Sequence, residues 1–305
     1  MKKVKLSIAV IILHYNNGLL TKKFVENLKS LNWNGIEHNI IIIDNCSPDN
    51  SGNYLTKEFA NDSDITVIKN KENLGFSKGN NVGIQYARKT FDPDLYIISN
   101  NDVLINDPLF PQKVKDSYLK NNFDCFGPDI YCPRKSEHQN PFKIKPIEKR
   151  SLRKKIIVDT IRYYEVLVVK FLGLYDTISK LKRKTKINND KKYWSQESLE
   201  NVVLHGSFFV LSKQYMEEYS DGLFPHTFLY MEEDILYYRC KWKNLKIFYD
   251  PTISIIHLDG VVSSNVAGNK CNKYLFELKQ TIRSCKVFIK YLEEMEELNG
   301  DKIES

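Results

Sequence analysis

Over the first 105 positions, short apolar runs alternate with stretches in which apolar residues recur every three or four places. The runs suit strands buried on both faces and the spaced stretches suit covering helices, so their alternation predicts a mainly parallel sheet joined by crossover helices. The expected strands are Leu6 to Leu13, Asn39 to Ile43, Ile65 to Ile68 and Leu95 to Ser99. Leu20, Phe24, Leu28 and Leu31 place a helix over Leu19 to Leu31, and Asn80 to Lys89 reads as another. The pattern resumes with strands at Gly206 to Leu211, Leu245 to Tyr249 and Thr252 to Ile256, and with a helix over Glu232 to Cys240.

Between these halves, from about Pro133 to Tyr193, the pattern changes. Ile156 to Leu181 reads as helical, yet Asp159, Arg162, Glu165, Lys170 and Asp176 interrupt its apolar surface. Such a helix suits either a membrane interface or a helix pair with one solvated face. Near the end, Leu275, Leu278, Ile282, Cys285, Ile289 and Leu292 form a short heptad seam. It is too short to argue for a coiled coil, so packing on the rest of the chain is preferred, with a dimer through this helix as the alternative.

Composition sharpens the picture in two places. The chain of 305 residues carries a formal charge of +7, but residues 143–192 hold 16 Lys and Arg against 5 Asp and Glu. The excess is local, which points to an anionic contact such as a membrane surface and away from nucleic acid. The six cysteines show neither a CxxC pair nor zinc-site spacing, so reduced thiols and a cytoplasmic setting are expected. No run reaches the roughly 18 apolar residues of a membrane span, so any membrane attachment would be peripheral, on the inner face of the cell membrane. The apolar start MKKVKLSIAVIILHYNN lacks a small-residue cleavage site and reads as a first strand rather than a signal peptide.

In an open α/β sheet, ligands bind beyond the carboxyl ends of the strands, so polar residues directly after apolar runs are informative. The first strand ends in His14, Tyr15 and Asn16. The second ends in IIIIDNCSPDNSG, with Asp44 at its tip and Asn45 next; a carboxylate there can accept from a base N–H or a ribose hydroxyl, although a turn that caps a helix uses the same residues. NKENLGFSKGNNVGI sets Asn73 and Gly75 at a helix start, where backbone can approach a ligand closely. LYIISNNDVLI ends in Asn100, Asn101 and Asp102, oxygen donors that suit Mg²⁺ or Mn²⁺ bridged to a diphosphate.

Taken in order, HYNN, IIIDNCSPD, NLGFSKGNN, ISNNDV, GSFFVLS, FLYMEEDILYYR and IHLDG resemble the family 2 inverting glycosyltransferases, particularly bacterial rhamnosyltransferase-like members. The resemblance implies an α/β fold of the GT-A type: a mixed, mainly parallel sheet flanked by helices, here with a basic helical insertion. It implies a nucleotide-sugar-binding half at 1–132, the insertion at 133–193, an acceptor half at 194–264 and a C-terminal helix and tail at 265–305. His14, Tyr15, Asn16, Asp44, Asn45, Asn73, Gly75, Asn100 and Asn101 would hold a UDP- or dTDP-linked sugar. Asp102 resembles the last residue of the family's DxD element, with Asn100 in place of the first Asp, and His257 would add a contact to metal or diphosphate. Counting back from Arg239, the family's base falls on Glu233, between Glu232 and Asp234, with Asp234 the base if the register slips by one. Trp194, His205 and Gly206 lie where the family receives its acceptor, a glycan expected to be lipid-linked and destined for a bacterial surface polysaccharide. A catalytically silent module that binds a nucleotide sugar or a membrane lipid, and a sugar-nucleotidyltransferase, are the competing readings.

Overall fold

The structure is a computed structural model that describes residues 5–175, 194–259 and 270–300. The expected helix beyond Tyr175, the lysine-rich stretch that follows it and the acceptor-half residues after Asp259 lie outside the described residues. The first four strands, β1 (Leu6–His14), β2 (Ile36–Asp44), β3 (Ile65–Lys69) and β4 (Leu95–Asn100), pair in parallel in the order β3-β2-β1-β4. Helices α1 (Gly18–Lys29), α2 (Ser51–Glu58) and α3 (Gly75–Thr90) connect them. Successive strand residues point to opposite faces. Thus Ile8, Val10 and Ile12 join Phe24, Val25 and Leu28 of α1 in one core, while Ala9 and Ile11 join Ile84 and Ala87 of α3 in the other.

Next come β5 (Val103–Leu104), α4 (Phe110–Asn121), β6 (Cys125–Cys132), β7 (Glu137–His138), and then, after the insertion, β8 (Leu199–Glu200), β9 (Phe208–Ser212) and β10 (Ile247–His257). They extend the sheet as β4-β9-β6-β10-β5. β9 lies antiparallel to both β4 and β6, which makes the sheet mixed, and β6 runs parallel to β10. Strand β6 has no counterpart in the expected elements because Gly127 and Pro128 interrupt its apolar pattern. Conversely, the two strands expected at 245–256 are one. A register shift between Asp250 and Ser254 accommodates Pro251, which has no N–H to give to the ladder, and β10 continues through it.

The described residues form two compact units. The first comprises 5–146, 194–225 and 232–259 and contains the sheet, α6 (Lys213–Glu218) and α7 (Glu232–Trp242). Residues 133–146, expected in the insertion, stay with the sheet: β7 pairs with β6, and Lys143 bridges Val203. The second unit comprises 147–175, 226–231 and 270–300 and is an antiparallel pair of α5 (Lys149–Phe171) and α8 (Lys270–Gly300). Its ends are pinned by Lys149 on Glu296 at 2.5 Å, Arg153 on Glu293 at 2.9 Å and Lys170 on Asn272 at 2.7 Å. On α8, the seam residues Leu275, Leu278, Cys285 and Leu292 are buried, with Cys271 and Phe288 beside them.

Helix α3 lies so close to the sheet that a Cβ on Gly83 would stand 2.7 Å from Ile11 Cγ2 and 3.1 Å from two atoms of Ile43. Alanine normally stabilises a helix interior over glycine by about 1 kcal/mol, whereas overpacking a core costs about 1–3 kcal/mol. Gly83→Ala is therefore expected to lower stability by roughly 1 kcal/mol in urea unfolding; a gain would mean that β1 and β2 yield to the added methyl.

Candidate functional site

The carboxyl ends of β1, β2 and β4 carry a buried polar layer. His14 is fully buried, its Nδ1 2.7 Å from Thr21 Oγ1 and its Nε2 2.8 Å from Ser51 Oγ, so its ring ties α1 and α2 to the strand tip. Loss of hydration pushes its pKa down to about 4 despite the carboxylates of Asp44 and Asp49. Asn101 donates from Nδ2 to the same Thr21 hydroxyl at 2.8 Å. Asn16, at φ 64°, donates its backbone N–H to Ser47 Oγ at 2.9 Å, and Tyr15 beside it is half-buried. Asp44 pairs in register with His14 across the two strands and accepts from Ser47 N at 3.0 Å. Gly52 is obligatory beside it, because a Cβ there would fall on Asp44 Oδ2.

Asn45 works as a tie for the neighbouring loop. Its Nδ2 donates to Asn73 Oδ1 and to Gly75 O, both at 3.0 Å, and its Oδ1 accepts from Leu74 N at 3.0 Å and Asn70 Nδ2 at 3.1 Å. Gly75 turns at φ 77°, a conformation open to glycine and unfavourable with a Cβ. Of the nucleotide-side residues, His14, Asn45, Asn101 and Asn73 thus spend polar atoms on tying the strand-end loops together, while Asp44 is buried beside them and Tyr15 is half-buried.

At the β4 exit, Asn100 continues the strand and binds Ser207 O through its backbone N–H at 2.9 Å. Asp102 meets His257 from the end of β10, with Oδ1 3.3 Å from Nε2. On the other side of that ring, Nδ1 lies 2.7 Å from Gln139 Oε1. An amide oxygen only accepts, so Nδ1 donates to Gln139 and Nε2 is the nitrogen that faces the Asp102 carboxylate. Nε2 and the carboxylate are nitrogen and oxygen ligands of the kind divalent cations take, and Gln139 fixes the ring's orientation as outer-shell partners do. Among the described residues no group of three or more His, Cys, Asp or Glu converges. A cation here would therefore draw its remaining ligands from phosphate and water, as Mg²⁺ does. The His205 ring lies 5.6 Å from that of His257 and is held by Ser207 Oγ at 2.8 Å.

The three acids at the start of α7 occupy different environments. Asp234 is buried and accepts from Lys143 Nζ at 2.5 Å. Glu232 and Glu233 line a pocket walled by Phe76, Leu204, Phe209 and Leu223. Glu233 approaches Gly206 so closely that a Cβ there would lie 3.0 Å from its Oε1, and its carboxylate accepts the Gly206 N–H. Burial raises the Glu233 pKa, the Asp234 charge adds to the rise, and Lys143 and the Gly206 N–H oppose it. Tyr230 at φ 73° and Met231 at φ 71° precede the helix in the left-handed region, a costly backbone state of the kind found where a side chain must be aimed.

Trp194 stands apart from this pocket. It stacks on His138 at 4.2 Å, His138 Nδ1 lies 2.9 Å from both oxygens of Asp129, and the indole remains 41% exposed. Gln139, Lys143, Ser47 and Thr21 are the contributors that sequence reasoning overlooks. Their pattern carries no signal, since each matters only through a partner distant in the chain.

The family model described as glycosyl transferase family 2 matches residues 9–220. No curated protein matches the chain in sequence. Among solved structures, residues 1–349 of S. aureus TarS align at TM-score 0.50 and 12% identity, over 92% of this chain and 72% of that one. GalNAc-T7, solved with UDP, GalNAc and Mn²⁺, aligns at TM-score 0.54 and 11% identity, over 91% of this chain and 48% of its own.

The His14 pKa makes a pH prediction. The unfolded ring binds a proton near pH 6.5 and the folded ring only near pH 4, so the unfolded state holds more protons between them and stability falls as pH drops through that window. The loss should total about 3 kcal/mol, complete below pH 4. Urea unfolding of wild type and His14→Gln at pH 7, 5.5 and 4 checks it, since the variant should lack this part of the slope.

Proposed function

Starting from the premise that this chain belongs to glycosyl transferase family 2, we propose that it transfers a sugar from a nucleotide-sugar donor to a glycan acceptor with inversion, using Glu233 as base. The observation that carries this reading is the separation of the three acids at the start of α7. Asp234 is committed to Lys143, whereas Glu233 faces the pocket with a raised pKa. A base of raised pKa binds the hydroxyl's proton more strongly than an ordinary carboxylate does. In the proposed step Glu233 takes the acceptor hydroxyl's proton as that oxygen bonds to the anomeric carbon. The bond from that carbon to the diphosphate breaks on the opposite face, and the nucleoside diphosphate departs with the electron pair.

The crevice at the ends of β1, β2 and β4 would receive the donor, a UDP- or dTDP-linked sugar, with Asp44 accepting from base or ribose. GalNAc-T7, which has this fold, holds UDP and Mn²⁺, and that supports both a uridine donor and a divalent ion here. Asp102 and His257 would hold Mg²⁺ or Mn²⁺, which when bound neutralises the diphosphate leaving group. Gln139 orients His257 for that contact. Gly206 and His205 border the acceptor, and Trp194 offers an exposed aromatic face to a further sugar of the glycan. A lipid-linked acceptor on the cytoplasmic face, in synthesis of a surface polysaccharide, completes the reading.

Glu233→Gln should lower turnover on the order of 10²- to 10⁴-fold with donor affinity unchanged, and wild-type kcat/KM should fall as pH drops through the raised Glu233 pKa. Asp234→Asn should instead act mainly on stability, by about 1–3 kcal/mol, because it loosens a buried charge-assisted bond to Lys143. Turnover lost with Asp234→Asn but kept with Glu233→Gln would transfer the role to Asp234. Unaffected turnover in both would favour a module that binds without catalysis.

Asp102→Asn and His257→Ala should each weaken Mn²⁺-dependent binding of nucleotide sugar about tenfold or more while sparing the fold, as loss of a metal ligand or its orienting shell does. Calorimetric titrations with and without Mn²⁺ read this directly, and equal affinity in both conditions would remove these residues from the site.

A further inference from the structure

The outward face of α5 presents an apolar stripe. Ile157, Ile161, Tyr164, Val168 and Phe171 recur at spacings of four, three, four and three, which keeps them on one side of the helix. They are 61%, 56%, 62%, 57% and 90% exposed, and Leu172 beside them is 58% exposed. The opposite face is already used, for Leu152 and Asp159 are buried. From Ile157 to Leu172 the stripe runs about 22 Å at 1.5 Å per residue. Contiguous exposed apolar surface of this kind marks an interaction site in a soluble chain.

Charge selects the occupant. Residues 149–174 contain seven Lys and Arg, at 149, 150, 153, 154, 155, 162 and 170, against two acids, Asp159 and Glu165. Asp159 is turned inward and engaged by Lys155 at 3.0 Å, and Lys149 and Arg153 are paired with Glu296 and Glu293 of α8, so the cationic surface flanking the stripe is carried by the exposed Arg150 and Lys154. A second copy would oppose the same positive surface to itself. Anionic lipid headgroups complement it, while the isoleucines, valine and aromatics enter the acyl boundary, as in helices that lie in a membrane interface. No described helix is long and apolar enough to cross a bilayer.

We infer that α5 is a membrane-docking helix that lies flat on an anionic lipid surface through Ile157, Ile161, Tyr164, Val168 and Phe171, with Arg150 and Lys154 contacting headgroups. This stands on the exposed face alone and is independent of the proposed transfer chemistry.

The test is co-sedimentation of the full chain with phosphatidylcholine vesicles, with and without about one-third phosphatidylglycerol, at low and high salt. Binding should require the anionic lipid and weaken as salt rises. Ile161→Asp/Val168→Asp should reduce it about tenfold or more, and Arg150→Gln/Lys154→Gln about 25-fold, at about fivefold per charge. Thermal unfolding and nucleotide-sugar binding should be unchanged in both variants, because these side chains are exposed. The inference is overturned if anionic and neutral vesicles bind equally, if wild type binds neither, or if both variants bind as wild type. It is equally overturned if the apolar-stripe variant abolishes a concentration-dependent self-association seen in sedimentation and leaves vesicle binding intact.

Discussion

Polar groups buried at the carboxyl ends of β1, β2 and β4 must find their hydrogen bonds inside the protein, and the crevice is shaped by how they do so. An amide or imidazole buried without partners costs several kcal/mol, about the margin by which a domain is folded at all. His14 therefore recruits hydroxyls from α1 and α2, Asn101 joins it at Thr21, and Asn45 ties down the turn that starts α3. Each bond fixes a loop at the strand ends. The loop positions are a consequence of satisfying this layer, and Asp44 fits beside them because Gly52 leaves room for it.

A second solution of the same kind separates charges beside the β4 exit, where Gly206 precedes β9. Three consecutive acids begin α7, where the helix dipole favours negative charge but cannot offset three carboxylates packed together. Lys143, from the strand-bridging segment after β7, neutralises Asp234. Glu233 retains a poorly hydrated position with two backbone donors, its own N–H and that of Gly206, and a pKa displaced upward. Environment, rather than residue type, differentiates two neighbouring acids. The Asp102–His257 pair follows the same logic, since Gln139 on the far side of the ring decides which nitrogen meets the carboxylate.

The second unit answers a different requirement. Its two helices bury one face against each other, with ion pairs at one end and a Lys170–Asn272 hydrogen bond at the other, and that pairing consumes only half of α5. Lysine and arginine interspersed among isoleucine, tyrosine and phenylalanine blur the helix's amphipathic signal in sequence. The geometry resolves it into an inward face holding a salt-bridged aspartate and an outward apolar stripe.

The sequence by itself determined the strand-and-helix alternation of the first hundred residues, because apolar runs buried on both faces leave no other economical arrangement. It determined as well that polar residues gather at the strand ends, and that the positive charge is confined to one segment. Its silence over β6 came from Gly127 and Pro128, and its division of β10 into two strands came from Pro251, where local backbone chemistry masks a strand that long-range pairing sustains. Only the tertiary structure decided which polar residues serve the scaffold and which face open space. His14 and Asn45 became internal ties, Glu233 was set apart from Asp234, and Gln139 and Lys143 acquired their importance through contacts 118 and 91 residues away. A side chain's protonation and exposure depend on what the fold brings beside it, and for Gln139 and Lys143 that neighbour is remote in the chain.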